Sequence, residues 1–319
     1  MVSRFLPEFG DVLAAAARIA AHARPTPVLR SRALDAATGA QLYFKAEHLQ
    51  RGGAFKFRGA CNAVWALDPA QAACGVVTHS SGNHGAALAL AARTRGIGCH
   101  VVVPEGAVAV KLANIARHGA TLWRCAPSIA AREALCAQVQ RDTGATLVHP
   151  YADPAVIAGQ GTAALELLDA SGGLDLLVVP VGGGGLAAGS RLALSARAPQ
   201  AQLLLAEPAG AADTARSLAA GERRLDMVPD TLCDGLRGTL GEPNFALLHG
   251  HAEVLVVEDA ATVAAMRLLW QVLKQVVEPS SAIALAAVLA QPARFAGRRV
   301  GVILSGGNVD LDALPWGAA

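Results

Sequence analysis

Short apolar runs alternate with segments of helical periodicity along most of this 319-residue chain. The apolar runs predict strands at residues 42–44, 75–78, 100–103, 121–124, 174–181, 202–206, 254–257 and 299–304. The helical spacing predicts helices at residues 86–95, 129–141, 161–170 and 262–276, among others. Strands that alternate with helices build βαβ units, in which a mostly parallel sheet is covered by helices on both faces. We therefore expect an α/β protein.

The predicted units fall into two blocks. The block from Cys74 to His149 holds four strand–helix units, and a second series begins after Tyr151 with a glycine-rich loop of its own. We expect two parallel-sheet domains, a large one formed by residues 1–73 and 151–319 and a small one formed by residues 74–150. Ligands of such sheets bind in clefts at the carboxyl ends of the strands.

Composition and charge exclude several classes of protein. The formal net charge of +2, without any block of lysine or arginine, argues against a nucleic-acid partner. The uncharged, apolar run at residues 176–190 is too short and too rich in glycine to span a membrane. Residues 1–11 lack a signal-peptide pattern. The six scattered cysteines form no Cys-x-x-Cys pair, which favours buried thiols and a reducing, cytoplasmic location.

One lysine stands between two phenylalanines in the stretch QRGGAFKFRGACNA, residues 50–63. A lysine held against aromatic and backbone groups loses hydration, and a desolvated amine can form a Schiff base with a carbonyl compound. Lys56 is therefore a candidate nucleophile. From this stretch alone, the alternative is a strand-to-helix turn whose lysine points to water.

The stretch THSSGNHG follows a predicted strand and opens a predicted helix. Backbone N–H groups at a helix N-terminus bind anions, and a small carboxylate fits there as well as a phosphate does. We call its polar and glycine positions the serine loop: Ser80, Ser81, Gly82, Asn83 and His84. The alternative is ordinary N-capping by Ser81 or Asn83, although a cap needs one such residue and not five.

A second loop, in VVPVGGGGLAAGS, lies between a buried strand and a helix and predicts a phosphate site. We call it the glycine loop: Gly182, Gly183, Gly184 and Gly185. This segment alone also allows a nicotinamide-dependent dehydrogenase, because Gly182, Gly184 and Ala187 fit the G-x-G-x-x-A fingerprint. Glu207 lies about where the ribose-binding acid of such an enzyme is expected. That enzyme would leave the lysine stretch and the serine loop unexplained.

Two further stretches follow predicted strands. In VILSGGNVD, Ser305 is either a hydrogen-bond partner for a ring nitrogen or a turn residue. In AEPAGAADTA, Glu207 and Asp213 either share a hard cation or belong to a solvated loop. An aldehyde for Lys56, a phosphate for the glycine loop and a ring nitrogen for Ser305 together indicate pyridoxal 5′-phosphate. The serine loop is then left for the carboxylate of the substrate.

The chain resembles the serine racemase and threonine dehydratase group of fold-type II pyridoxal-phosphate enzymes, including its threo-3-hydroxyaspartate dehydratase branch. The resemblance runs from about Thr26 to Asp310 and rests on FKFRGA, THSSGNHG, HPYADPAVIAGQGT, VVPVGGGGL and AEP in the family's order and spacing. It implies a tryptophan synthase β-like fold and a homodimer. It also implies that the large domain binds the cofactor and that the small domain carries the loop for the substrate carboxylate.

The resemblance also implies roles for individual residues. Lys56 matches the Schiff-base lysine, and Ser81 matches the serine that faces it across the α-carbon of the substrate. The implied cofactor contacts are Phe55, Asn83 at the ring hydroxyl, Ser305 at the ring nitrogen, and Gly182, Gly183, Gly184 and Gly185 at the phosphate. The implied substrate contacts are Ser80, Ser81, Gly82, Asn83, His84, Arg132 and Tyr151. A divalent cation, Mg²⁺, Mn²⁺ or Ca²⁺, is implied at Glu207, the carbonyl of Ala211, and Asp213.

Three positions depart from the family pattern and bear on the substrate. Ala54 and Gly238 stand where serines are common, and Tyr151 stands where mammalian racemases have asparagine. Arg132 aligns with a family arginine that approaches the distal end of acidic ligands. This arginine favours 3-hydroxyaspartate over serine and threonine. Glu278 is expected behind the cofactor site.

The expected activity is that of an ammonia-lyase, or dehydratase, which converts a β-hydroxy-α-amino acid to a keto acid and ammonia by α,β-elimination. The candidate substrates are 3-hydroxyaspartate, serine and threonine. A serine hydroxyl leaves the ring nitrogen neutral, so the charge at the α-carbon is short-lived, and either elimination or reprotonation follows. The alternative within the family is a racemase of serine or aspartate. Outside the family the alternative is an NAD-dependent dehydrogenase, and a binding module without catalysis would not need Lys56.

Overall fold

The computed structural model describes residues 6–107 and 109–316. In this part of the chain the strands are β1 (Val28–Leu29), β2 (Gln41–Ala46), β3 (Val76–Thr78), β4 (Cys99–Pro104), β5 (Thr121–Cys125), β6 (Thr146–Leu147), β7 (Leu176–Pro180), β8 (Gln202–Pro208), β9 (Ala252–Val257) and β10 (Arg299–Leu304). The α-helices are α1 (Phe9–Ile19), α2 (Arg32–Thr38), α3 (Lys56–Ala66), α4 (Pro69–Cys74), α5 (Asn83–Arg95), α6 (Ala109–Ala116), α7 (Ile129–Thr143), α8 (Pro154–Ser171), α9 (Gly185–Arg197), α10 (Asp213–Ala220), α11 (Glu242–Leu248), α12 (Asp259–Leu268), α13 (Pro279–Ala290) and α14 (Pro292–Phe295).

The strands form two sheets. The larger sheet has the order β1-β2-β10-β7-β8-β9, and all of its neighbouring pairs are parallel except β1 with β2. The smaller sheet has the order β5-β4-β3-β6 and is parallel throughout. The predicted α/β fold with two parallel sheets is therefore confirmed, apart from one short antiparallel edge strand.

Strand β7 is buried on both of its faces. Leu176 and Val178 belong to the hydrophobic core shared with α13, whereas Leu177 and Val179 belong to the core shared with α8 and α9. Successive side chains of a strand point to opposite faces, so a strand covered on both sides is apolar at every position. This is the physical reason for the continuous apolar run in the sequence.

Helix α3 joins the two sheets. Phe57 and Val64 of α3 lie in one core with Leu88 of α5 and Val101 of the smaller sheet. Helix α3 also packs against α8, which in turn contacts β2 and β10 of the larger sheet. Lys56 begins α3 and so lies at their junction.

The structure corrects some of the predicted elements. All predicted strands occur with ends shifted by two residues at most, but the two-residue strands β1 and β6 were not predicted. The helix predicted at 262–276 is wrong at its end, because α12 gives way to a π-helical turn at Leu269–Leu273. Residues 74–149 hold three complete strand–helix units and not four, since α8, which follows β6, packs against α3 and α9. The domain boundaries at 73/74 and 150/151 stay a prediction.

The thiols agree with the prediction from composition. Five cysteines are buried and unpaired, and Cys74 is exposed and unpaired. Burial raises the pKa of the Cys61 thiol to about 12, as expected for a chemically inert side chain. Within the described ranges, every helix lacks either the length or the apolarity that a bilayer span requires.

Candidate active site

Lys56 is half-buried, and its amine contacts backbone and aromatic groups. Its Nζ donates a 2.9 Å hydrogen bond to the carbonyl oxygen of Pro150 and lies 5.0 Å from the centre of the Phe55 ring. Burial lowers the pKa of Lys56 to about 8, and the negative charge of Glu278 opposes part of this shift. The lysine therefore does not simply point to water, and its amine is partly unprotonated near neutral pH, as a nucleophile or base must be.

Strand β10 places Ser305 beside the start of α3. The backbone N–H of Phe55 donates to the carbonyl of Ser305 at 2.9 Å, and Ala54 forms a β-bridge with Gly306. The Ser305 hydroxyl is buried and donates to the carbonyl of Ser280 at 3.4 Å. A hydrogen bond of this length is weak, so the hydroxyl can exchange it for a better partner.

Asn83, Glu278 and Asn308 form a hydrogen-bonded group. Asn83 Nδ2 donates to the two carboxylate oxygens of Glu278 at 2.9 and 3.2 Å. Asn308 donates from its backbone to Glu278 at 3.1 Å and from its side chain to Asn83 Oδ1 at 2.9 Å. Burial, and next the charge of Asp234, raise the pKa of Glu278 to about 7. Both ends of the Asn83 amide are therefore fixed.

The glycine loop connects β7 to α9. Gly184 has a φ of 90°, in the left-handed region that favours glycine. A Cβ on Gly182 would lie 2.7 Å from the Cα of Leu236, and one on Gly183 would lie 2.4 Å from the ring of Tyr151. Only glycine fits at these positions. The close-packed backbone at the N-terminus of α9 is the arrangement that binds a phosphate.

Glu207 is not available to bind a ribose. Its carboxylate is fully buried. The two oxygens accept backbone N–H bonds from Thr214 at 2.7 Å and Ala215 at 2.8 Å, in the first turn of α10. The burial of Glu207 argues against the dehydrogenase interpretation of the glycine loop.

The candidate cation ligands lie close together in the sequence, with Glu207 at the end of β8, Ala211 in the connection and Asp213 at the start of α10. Asp213 Oδ2 accepts the backbone N–H of Leu240 at 2.7 Å, whereas Oδ1 is buried with no hydrogen-bond partner in the described part of the chain. Burial raises the pKa of both carboxyl groups, to about 7 for Glu207. Residues 6–107 and 109–316 contain no cluster of three His, Cys, Asp or Glu side chains suited to a metal. A cation here would also need the Ala211 carbonyl and water.

The serine loop connects β3 to α5. The N-cap of α5 is Gly82, and no side chain in the described residues caps this helix. Ordinary capping by Ser81 or Asn83 is therefore wrong. Ser80 and Ser81 are partly exposed, and the Ser80 hydroxyl accepts the Gly82 N–H in a long contact of 3.4 Å. The N-terminus of α5 is left free to bind an anion.

The His84 side chain is turned into the protein. Its Nε2 lies 3.2 Å from the carbonyl oxygen of Val148, and the residue is 2% exposed. Burial, and next the charge of Lys56, hold the pKa of His84 well below its ordinary value. The ring is therefore neutral, and only the backbone of His84 is left for the substrate role predicted from the family.

Arg132 lies near a group of aromatic side chains. His79 and His149 follow the paired strands β3 and β6, and their ring centres are 5.2 Å apart. The Tyr151 ring packs edge-on against His149 at 4.6 Å. Burial lowers the pKa of His79, and the charge of Arg132 lowers it further, so the guanidinium acts on this group. Burial also lowers the pKa of His149 to about 3.

Several residues with contacts in the site were not predicted. Pro150, Asn308, His79 and His149 lie inside stretches that the sequence singles out, so the motifs mark their neighbourhood but not their contacts. Asn244 of α11 lies outside every such stretch, yet it binds the glycine loop. No spacing in the sequence points to it.

The family of this chain follows from a match along most of its length. The profile of the family described as pyridoxal-phosphate dependent enzyme matches residues 19–306. The chain belongs to this family, and pyridoxal phosphate is its cofactor.

Individual relatives show which members of this family the chain is similar to. The chain is 50% identical to the beta-hydroxyaspartate dehydratase of Paracoccus denitrificans (strain Pd 1222), over 98% of this chain and 99% of that protein. It is 46% identical to the serine racemase of Arabidopsis thaliana, over 93% of this chain and 92% of that protein. The structure of maize serine racemase matches with a TM-score of 0.94 and 44% identity, over 97% of this chain and 95% of that one. The predicted family resemblance is confirmed.

Proposed function

We propose that this protein is a pyridoxal-phosphate-dependent ammonia-lyase that converts 3-hydroxyaspartate, in preference to serine or threonine, to a keto acid and ammonia by α,β-elimination. The observation that carries the proposal is the 50% identity, over nearly the full length of both chains, to a protein named beta-hydroxyaspartate dehydratase. The lowered pKa of the Lys56 amine supports it, because elimination needs a base at the α-carbon.

The residues of the site fit the cofactor. Lys56 would hold its aldehyde, Asn83 its ring hydroxyl, Ser305 its ring nitrogen and the glycine loop its phosphate, with Phe55 packed nearby. The closed packing of the glycine loop supports this fit, because a side chain there would collide with Leu236 or Tyr151. When bound, pyridoxal phosphate supplies a conjugated ring that takes up the electron pair left at the α-carbon.

Lys56 moves the proton in this proposal. Once the amino group of the substrate has replaced Lys56 at the cofactor, the freed Nζ accepts the α-hydrogen, and the ammonium that forms can protonate the β-hydroxyl as it leaves as water. Loss of water gives an enamine, which takes a proton at its β-carbon to become an imine. Addition of water to the imine then releases ammonia and the keto acid. Ser305 is a hydroxyl and not a carboxylate, so it leaves the ring nitrogen neutral. A neutral ring holds negative charge at the α-carbon only briefly, which favours immediate loss of the β-hydroxyl.

The substrate would be held at both of its carboxylates. The free N-terminus of α5, in the serine loop, suits the α-carboxylate. Arg132 suits a second carboxylate, since its charge already acts on His79 at the end of β3. Tyr151 lines the same region, where a Cβ on Gly238 would touch the Tyr151 ring, 3.4 Å from Cε1.

A divalent cation and a homodimer complete the proposal. Among the described residues Asp213 Oδ1 has no hydrogen-bond partner, and this oxygen and the raised pKa of Glu207 support a Mg²⁺, Mn²⁺ or Ca²⁺ ion there, with the Ala211 carbonyl as a third ligand. The homodimer rests on the family resemblance. The unpaired thiols support a cytoplasmic location.

The first experiment identifies the chemistry. Purified enzyme is supplied with 3-hydroxyaspartate, serine and threonine in turn, and keto acid formation is measured together with the enantiomer content of the remaining substrate. We expect the highest kcat/KM for keto acid formation with 3-hydroxyaspartate. A preference for threonine would contradict the acidic substrate and leave the ammonia-lyase class intact. Absence of keto acid from all three would contradict the class itself.

An amino-acid racemase is the second candidate, and the similarity to the Arabidopsis serine racemase favours it. Racemisation needs an acid and a base on opposite faces of the α-carbon, whereas elimination needs one base to start. Ser81→Ala should therefore reduce racemisation more than elimination, if Ser81 opposes Lys56. Equal losses of the two activities would argue against a proton-transfer role for Ser81.

A further inference from the structure

Asn244 on α11 is a buried amide that binds two carbonyl groups of the site. Its side chain is fully buried. Nδ2 donates to the carbonyl of Tyr151 at 2.9 Å and to the carbonyl of Gly183 in the glycine loop. One amide nitrogen carries two N–H groups, so both are used, each on backbone from a different part of the chain.

The bond to Gly183 fixes one peptide plane of the glycine loop. The carbonyl of Gly183 also accepts the N–H of Gly241 at 3.1 Å. In a trans peptide the carbonyl points opposite to the N–H of the next residue, and the described chain has no cis peptide. Holding the Gly183 carbonyl toward α11 therefore turns the Gly184 N–H away from α11. The direction of that N–H decides whether it can serve an anion.

The hydrogen bond from Asn244 to the carbonyl of Tyr151 holds the residue that packs against Gly183 and Gly185 of the glycine loop. The Tyr151 ring covers the position that a Cβ of Gly183 would take, at 2.4 Å, and its carbonyl lies 3.0 Å from the position of a Cβ on Gly185. Tyr151 follows Pro150, whose carbonyl accepts the Lys56 amine. Asn244 therefore joins the glycine loop to the segment that receives the lysine.

The segment that leads to α11 is anchored before it reaches Asn244. The backbone N–H of Leu240 donates to Asp213 at 2.7 Å, and its carbonyl accepts the Nε of Arg223 at 2.8 Å. Gly241 follows and bonds to the glycine loop. Because these bonds already fix the segment before Asn244, little further conformational entropy is lost when Asn244 binds the glycine loop. Its hydrogen bonds can therefore hold the loop in one conformation.

We propose that Asn244 is a positioning residue that orients the backbone N–H groups of the glycine loop toward the phosphate of the cofactor. This inference rests on the proposed role of the glycine loop. It goes further by naming a residue outside the loop on which phosphate recognition depends. A general contribution of Asn244 to stability would weaken every ligand alike, whereas positioning of the loop concerns the phosphate alone.

The test compares two ligands that differ only in the phosphate. Apoenzyme is titrated with pyridoxal phosphate and with pyridoxal, and each Kd is measured from the change in absorbance. For Asn244→Ala we expect pyridoxal phosphate to bind about tenfold more weakly or worse, as loss of two hydrogen bonds to carbonyls allows. The Kd of this variant for pyridoxal should stay within about twofold of the wild-type value.

The chain offers a matched control in Asn62. This buried asparagine donates to the backbone carbonyl of Ala155 at 2.7 Å, on α3 and away from the glycine loop. Asn62→Ala should leave the ratio of the two Kd values at its wild-type level. If Asn244→Ala does not fold, Asn244→Ser, which keeps one donor, is tested in its place. Its Kd for pyridoxal phosphate should rise by a smaller factor, and its Kd for pyridoxal should again stay near the wild-type value.

The outcomes separate this inference from the proposed function. An Asn244 variant with a wild-type ratio of Kd values, or with equal losses for both ligands, overturns the positioning role. A wild type that binds pyridoxal as tightly as pyridoxal phosphate overturns the phosphate role of the glycine loop instead.

Discussion

At the scale of single residues, the lowered pKa of the Lys56 amine predicts how the enzyme takes up its cofactor. Only an unprotonated amine attacks an aldehyde, and burial lowers the pKa of Lys56 to about 8. The rate at which apoenzyme captures pyridoxal phosphate should therefore rise with pH through a midpoint at about 8 and level off at higher pH. Stopped-flow absorbance over this range measures the midpoint.

Glu278→Gln should move that midpoint to lower pH. The carboxylate of Glu278 favours the charged form of Lys56, so its removal lowers the pKa of the amine further. Glu253→Gln is the matched control, because Glu253 pairs with Arg294 at an exposed site. A midpoint that stays in place or rises in Glu278→Gln would show that this charge does not act on the lysine.

Arg132 predicts the preference for an acidic substrate. Arg132→Ala should lower kcat/KM for 3-hydroxyaspartate about tenfold to a hundredfold relative to serine, because a charge-assisted bond to the second carboxylate contributes roughly 1.5–3 kcal/mol. Arg141→Ala, on the exposed part of the same helix, is the control and should change the ratio little. Equal losses with both substrates would place Arg132 outside the substrate pocket.

The residues that carry chemistry could be predicted only where the chain places them inside one motif. The stretch around Lys56, the serine loop and the glycine loop are each continuous in the sequence, so the residue types within each one are enough to predict its chemistry. The contacts of Asn83 with Glu278 and of Asn244 with Gly183 join residues far apart in the sequence. Such contacts depend on how the sheets pack, and no local pattern contains them.

At the scale of secondary-structure elements, a buried charge network fixes the helix that carries the lysine. Arg58 of α3 donates to Glu47 at 2.7 and 2.8 Å and to Glu166 of α8 at 2.6 and 2.8 Å. Lys45 of β2 also binds Glu166. The network therefore ties α3 to β2 and α8, two residues from Lys56.

Arg58→Met should destabilise the protein strongly, because it leaves the buried carboxylate of Glu47 without its partner. Loss of one partner from a buried ion pair costs about 3–5 kcal/mol of the free energy of unfolding. Arg30→Met breaks the exposed pair with Asp35 and should cost about 1 kcal/mol or less. Urea denaturation of the three proteins checks the difference. Similar losses for both variants would mean that the buried network adds no particular stability.

The elements that the sequence missed share a physical cause. Strands β1 and β6 have two residues each, too few for a period of two to be recognised. After Leu268 the apolar spacing continues at a helical period, so the sequence predicts more helix. The shift to a π-helical turn, followed by Lys274 with a φ of 58°, changes the hydrogen-bond partner and not the residue pattern.

At the scale of the whole molecule, the candidate cation site predicts how stability depends on pH. Burial raises the pKa of Glu207 from its ordinary value of 4.5 to about 7. Without a cation, the folded state keeps a proton that the unfolded state releases in this range, so stability falls as pH rises from about 4.5 to about 7. A bound cation removes the loss. The gain in Tm from Mg²⁺, Mn²⁺ or Ca²⁺ over chelator should therefore grow across this range and then level off.

Asp213→Asn should abolish this response to cations, since it removes one carboxylate of the pair. Asp226→Asn, which breaks an exposed pair with Arg216, should leave the response unchanged. Chelator-treated and cation-loaded samples with the same Tm at every pH would show that Glu207 and Asp213 hold no cation.

Leu240 and Gly241 stand next to each other in the chain and contact two different candidate ligand sites. The N–H of Leu240 binds Asp213, and the N–H of Gly241 binds Gly183 of the glycine loop. Suppose that a cation bound at Asp213 increases the affinity of the protein for the cofactor by some factor. Bound cofactor must then increase the affinity for the cation by the same factor, because the coupling free energy between two binding sites is reciprocal. The enzyme would then lose both ligands together in a chelating medium, and the return of either one would help to recover the other.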